Sequence, residues 1–294
     1  MTGTTAQSGS GNSNKAAFEF VQYLAQELSS GKVELPCFPD IAVKVRKVLS
    51  DDDVNLDMVV RVVGSEPTLA ARLLQVANSV AMNRSGRPVK DLRNAVQHMG
   101  LNTVRSAAIA FAMAQMKKAD ELKGLEAPLQ ALWHRCSGTA AMANVVARRV
   151  TKLNPDSALL AGLLHGVGEL YILTRAHKHP ALFADRPVYE TIVRDWHVSV
   201  AKALLENWEI AEDIVLAVSE YEDLERRHSG PPDMSDVLTV AHLMFSYQEF
   251  PESIELNMQG VAAADRMAVD VTTYGKIILE SKDEIKELQG ALGA

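Results

Sequence analysis

The chain has 294 residues, 47% hydrophobic and 23% charged, an ordinary globular composition that suits about two compact units or one large helical domain and needs no metal or disulfide staple. Aromatics at 5% require a core of aliphatic residues, and the 17 Gly and 11 Pro are too few for low complexity and sparse for a β-sandwich or barrel. A net charge of −7 disfavours non-specific nucleic-acid binding, which needs cations to neutralise phosphates.

Residues 1–14 have neither a cationic start nor an apolar run, so they predict a disordered tail and not a signal peptide. From Lys15 to Leu28 the residues Phe18, Val21, Leu24, Ala25 and Leu28 share one helical face, and Gly31 stops the helix. The run Leu35-Pro36-Cys37-Phe38-Pro39 is a turn, because two prolines exclude a helix. Ile41, Val45, Val48 and Leu49 mark a second helix, residues 51–53 a solvated acidic turn, and residues 55–64 a short apolar helix. Ser65 is the predicted N-cap of the next helix, with Pro67 in its first turn, Leu69, Leu73 and Val76 on its buried face, and an end near Asn78-Ser79. A polar loop at 83–88 leads to a helix running to Met99. Gly100 breaks it before a long Ala-rich helix to Met116.

The polar stretch 118–128, with Gly124 and Pro128, reads as a seam between two halves. Beyond it, helices are predicted at 129–151, 156–174, 187–207, 210–223 and 234–248, with a loop at 225–236 around Gly230-Pro231-Pro232. Residues 258–292 predict one short and one longer terminal helix. No stretch alternates strand with helix, so the fold class is all-α. The predicted organisation is a tail at 1–14, a helical domain at 15–250 with lobes at 15–117 and 128–250, and a helical extension at 251–294. Cys37 and Cys136 have no metal or disulfide spacing and are expected as buried thiols in a reducing compartment. The densest apolar run, 107–114, is far short of the roughly 20 residues a bilayer crossing needs, so a cytoplasmic chain without membrane contact is expected.

Histidines carry the only suggestive chemistry. Trp133-His134 lies on one helix, Leu163-Leu164-His165-Gly166-Val167-Gly168-Glu169-Leu170 on another, His197 beside Trp196, and His242 within Val240-Ala241-His242-Leu243-Met244-Phe245. Each alone reads as a core or edge histidine. Their order resembles the HD-domain metal phosphohydrolases, in which a His on one helix, a Leu-Leu-His-Asp-x-Gly-Lys run and a later Asp grip a divalent cation. The resemblance holds at His134 and His165. It departs at Gly166, where the aspartate is replaced by a residue without a side chain, at Glu169, where lysine is replaced by the opposite charge, and at His242 in the place of the last Asp. Hard cations need carboxylates, so these five positions read as vestiges, and no metal, cofactor or catalytic residue is expected. A zinc ion on His134, His165 and His242 is the alternative, since sites of three histidines exist.

Three further segments resemble the HDOD family, the HD-related output domain of bacterial signalling proteins, over about residues 20–225. They are the proline-phenylalanine turn Leu35 to Pro39, the run Glu66-Pro67-Thr68-Leu69-Ala70-Ala71-Arg72-Leu73-Leu74-Gln75-Val76-Ala77-Asn78-Ser79, and Ala95-Val96-Gln97-His98-Met99-Gly100-Leu101-Asn102-Thr103-Val104-Arg105. Glu66 and Met99 stand where the family has Asp and Leu. The resemblance to the cyclic di-GMP phosphodiesterases of the HD-GYP type is weaker: Ser219-Glu220-Tyr221 stands near an expected histidine pair, and no Gly-Tyr-Pro occurs. The HDOD likeness implies a regulatory domain without catalysis, working through contact with a signalling protein such as a kinase, cyclase or transcription regulator. The loops 83–88 and 225–236 are its candidate surfaces. The alternatives are a divergent metal-dependent phosphohydrolase acting on a nucleotide or cyclic dinucleotide, and, as the weakest, DNA binding through the Met99-Gly100-Leu101 corner.

Overall fold

Capping starts several of the helices. Asn55, Glu66, Asn154, Asp185 and Asp233 each accept a backbone N–H from the first turn of the helix that follows. The computed structural model describes residues 7–292 except 32, 36, 37, 52, 81, 84, 85, 117, 269 and 270, and among these the chain is helical with no strand. The helices are α1 (Gln7–Ser30), α2 (Asp40–Leu49), α3 (Leu56–Gly64), α4 (Pro67–Ala77), α5 (Leu92–Met116), α6 (Glu126–Val150), α7 (Pro155–Leu164) and α8 (Val167–Ala176). They continue with α9 (Pro180–Ala184), α10 (Arg186–Asn207), α11 (Glu212–Glu220), α12 (Met234–Ser246), α13 (Pro251–Met258), α14 (Ala262–Arg266) and α15 (Val271–Leu292).

Several boundaries depart from the sequence pattern. Helix α1 begins at Gln7, inside the predicted tail, because adding residues to a formed helix costs far less than nucleating one; residues 1–6 lie outside the described residues. Its buried face carries Phe20 and Leu24, while Phe18 is 64% exposed. Ser65 is not the cap of α4. Its own backbone is helical and it closes α3, while Glu66, in extended conformation, caps α4. Gly100 does break α5, with φ 75° and ψ 167°, a conformation that a residue with a Cβ resists. The predicted helix 156–174 is two helices bent at His165-Gly166; the short and the longer terminal helix predicted over 258–292 are α14 and α15, and α13 precedes them. Cys136 is buried; Cys37 lies outside the described residues.

Two apolar cores result. The smaller is built by α2 to α5, with Leu69, Leu73 and Val76 fully buried. The larger is centred on α6, α7 and α12 and includes Leu163, Leu164 and Ile214. The lobes are not the sequence halves 15–117 and 128–250. Helix α1 packs on α9 and α10 of the larger core, with Glu27 accepting from Tyr171 and Arg175 and Gly31 O accepting from Asn207 at 3.1 Å. Nor are residues 251–294 an appendage: α15 lies across α4, α5 and α6, where Arg149 meets Glu280 at 2.8 Å and Arg72 donates to the Ala291 carbonyl at 3.2 Å. The run Pro155–Ala176 is apolar and long enough to cross a membrane by composition, but it is almost wholly buried in the larger core.

Replacing Leu73 by Ala opens a cavity in the smaller core, which has little else to fill it. Equilibrium denaturation should show a loss of about 3 kcal/mol; a loss well under 1 kcal/mol would mean the side chain does not face the core.

Candidate functional site

The bend between α7 and α8 puts His165 at the floor of a cleft of about 460 Å³. The His165 ring is 1% exposed, with Nδ1 2.6 Å from the Gly162 carbonyl. A carbonyl can only accept, so Nδ1 carries the proton and Nε2 is a bare acceptor. That Nε2 is buried and has no partner. His242, from α12, lies with its ring centre 5.5 Å from that of His165, and its Nδ1 is likewise buried and unpartnered. The Tyr221 ring stands edge-on to both, at 5.4 and 5.1 Å.

Burial, then the neighbouring His242 and Arg135, push the His165 pKa down to about 3; burial and Arg135 push that of His242 down to about 4. Both rings are therefore neutral at neutral pH. Glu222 forms the second tier. It accepts from the Tyr221 hydroxyl at 2.9 Å and faces His197 Nε2 at 3.3 Å. His197 holds the Glu222 carboxyl down to about 2, and although burial disfavours a charged His197, Glu222 outweighs it and raises that imidazole's pKa.

The five predicted positions do not all converge. His165, Gly166, Glu169 and His242 line the cleft. His134 does not: it is exposed, its ring packs on Phe245 at 5.6 Å, and its carbonyl accepts from Gln289 of α15 at 3.1 Å. The residue of α6 that faces the cleft is Arg135, one position on, and its guanidinium is ion-paired with Glu169. Sequence reading missed Arg135 together with Tyr221 and Glu222. Helical phase was the available signal, since Leu132 and Cys136 press on Gly166 and Arg135 stands between them on the chain.

A divalent metal does not fit these residues. The two neutral imidazoles lack the carboxylate that stands next to the histidine in the HD pattern. A Cβ on Gly166 would lie 2.5 Å from Cys136 Sγ and 2.8 Å from Leu132 Cδ1, so a side chain there forces those buried neighbours to shift. The carboxylates nearby are already engaged, Glu169 by Arg135 and Glu222 by His197 and Tyr221. Zinc on His134, His165 and His242 is excluded by His134 pointing away. Among the described residues, the one trio with ligand atoms within 4.8 Å of one another is His228, Asp233 and Asp236, in the 225–236 segment. There Arg226 and Arg266 occupy the carboxylates: Arg226 Nη2 is 2.7 Å from Asp233, and Arg266 pairs with the fully buried Asp236. These contacts account for the trio as an anchor between α12 and α14, and much of the segment is thereby pinned rather than a free polar loop.

The depressed histidines set a pH dependence. An unfolded histidine titrates near 6.5, so between about 6.5 and 4 the unfolded chain binds protons that folded His165 and His242 refuse. Their contribution is complete above that window and is lost as pH falls through it. Glu222, with its lowered pKa, adds a loss at still lower pH, from about 4.5 towards 2. Denaturation midpoints should therefore fall from pH 6.5 to 4, and the slope should be shallower in His165→Phe, which keeps the ring volume without the titration.

The HDOD domain profile matches residues 35–224. Among solved structures, the chain superposes on a candidate metal-dependent phosphohydrolase from Shewanella amazonensis SB2B with a TM-score of 0.71 and 22% identity, over 95% of this chain and 99% of that one. An HDOD domain protein of unknown function from Geobacter sulfurreducens gives 0.61 and 24%, over 92% and 96%. A candidate signal transduction protein from Marinobacter aquaeolei VT8 gives 0.57 and 20%, over 89% of this chain and 60% of that one. At these identities the likeness is one of fold. No curated protein matches the chain.

Proposed function

The chain belongs to the HDOD family, and from that premise we propose that it is a non-catalytic output domain of signal transduction that acts by binding another signalling protein. One observation carries the non-catalytic reading: the Arg135–Glu169 ion pair stands at the cleft where the HD pattern requires metal ligands, next to a Gly166 that offers no carboxylate. Metal-assisted hydrolysis needs a cation to lower the pKa of water and polarise the phosphate. Here a guanidinium provides a fixed positive charge that can orient an anion but cannot generate hydroxide. Family membership supports the signalling role, and the net charge of −7 suits a protein partner over nucleic acid.

Protein purified without chelator should carry no stoichiometric zinc, iron or manganese and should leave phosphomonoesters and cyclic dinucleotides intact. One tightly bound metal per chain, lost in His165→Ala together with a hydrolytic activity, would overturn the reading. Crosslinking in cells should return a recurrent signalling protein joined to this chain.

A further inference from the structure

A buried acceptor with nothing to accept from is costly. His165 Nε2 is such an atom, at the floor of a cleft whose volume, about 460 Å³, falls among small-molecule sites. Its lone pair asks for an O–H or N–H. Beside it stands Arg135, which gives one Nη to Glu169 and has further N–H donors. Arginine's planar fork suits a carboxylate. His242, 5.5 Å away, offers a second unpartnered ring nitrogen, which can donate or accept according to tautomer.

Charge restricts the ligand further. The cleft walls hold three arginines, Arg135, Arg186 and Arg194, and three carboxylates, Glu169, Glu190 and Glu222. They balance, so a dianion would meet three like charges without a surplus of cations. At the inner end Arg135 keeps N–H donors beyond the one it gives to Glu169, so one further carboxylate finds a partner there. A single negative charge is thus favoured at the floor, and a second is not.

We propose that this cleft is a regulatory binding site for a small organic monoanion that carries its own hydrogen-bond donor, of the α-hydroxycarboxylate type. The hydroxyl donates to His165 Nε2 and the carboxylate bridges to Arg135, while the Tyr221 ring forms one wall. Resting on the reading that the chain works without metal chemistry, occupancy of the cleft is then an input to the output domain. The floor joins α7, α8 and α12, and the walls α6 and α10, so a bound ligand ties together elements of the larger core.

The test is a titration of the full chain followed by long-range nitrogen NMR of the histidine rings, with lactate, glycolate, acetate and malate as probes at millimolar concentration. Lactate or glycolate should shift His165 Nε2 and raise the thermal midpoint. Acetate, which lacks the donor, should bind about tenfold more weakly, the effect of one hydrogen bond. Malate, a dianion, should also be weaker than lactate. His165→Phe should lose the preference for lactate over acetate, while His98→Phe, outside the cleft, should keep it. If His165→Phe does not fold, the wild-type Nε2 resonance still reports the contact directly. Equal response to acetate and lactate, or no response of His165 to either hydroxy acid, overturns the proposal. Metal content is measured on the same sample. Binding that requires a bound metal overturns both this proposal and the non-catalytic reading, whereas metal-free protein that ignores the hydroxy acids overturns this proposal alone.

Discussion

Gly168→Ala is expected to unfold the protein or to cost more than about 4 kcal/mol, among the largest effects a single methyl group can have. The reason is a close approach of two backbones. A Cβ at Gly168 would lie 1.9 Å from the carbonyl oxygen of His197 and 2.9 Å from the amide nitrogen of Ala201. Neither atom sits on a flexible side chain that can swing away, and both belong to α10, which packs along α8. Relief requires the two helices to separate. That separation would also pull His197 from Glu222. Circular dichroism and denaturant unfolding of the variant would measure the loss; a stability within 1 kcal/mol of wild type would show that α8 and α10 do not approach as described.

Gly166→Asp, the substitution that restores the HD motif on paper, is the second large effect. It should destabilise the fold by about 2–4 kcal/mol and yield no metal-dependent hydrolysis. The new Cβ meets Cys136 Sγ at 2.5 Å and Leu132 Cδ1 at 2.8 Å. Cys136 is fully buried, its thiol pushed up to about 12 by that burial, so it cannot become a useful anion or withdraw to solvent. The added carboxylate also enters beside a residue, Arg135, that already has Glu169 as partner. Adding Cys136→Ala should recover part of the stability by freeing the space at Sγ, and still bind no metal. Stoichiometric manganese or iron in the single variant, with phosphatase activity, would show that the metal cradle is largely intact.

These glycines show how legible the sequence is and where it stops. Helical periodicity identifies the buried face of α4, and Gly100 announces its own break, because those signals are local. The Leu-Leu-His-Gly-Val-Gly run is equally visible as a run. What lies opposite its glycines does not show. Whether His134 or Arg135 faces the cleft depends on the rotation of α6, set by Leu132 and Cys136 pressing on Gly166 from another helix. Phe18 and Phe20 illustrate the same point, since both fit a helix but the partners on α9 and α10 choose Phe20. The bend at His165-Gly166 was hidden because both sides of it are apolar enough to read as one helix. The loop 225–236 reads as solvated from its Gly-Pro-Pro core, yet Arg266, 30 residues beyond Asp236, pins it.

The two ends of the described chain have a consequence for how the protein is made. Glu27 of α1 meets Tyr171 across 144 positions, and Arg72 meets Ala291 across 219. As the chain leaves the ribosome, α1 waits for α9 and α10 to follow, and the surface where α15 will lie stays open until residues 271–292 are synthesised. Contacts of such sequence separation close slowly. Folding should therefore end with a late docking step of α15, and a chain stalled or clipped before residue 271 should expose apolar surface and call on chaperones.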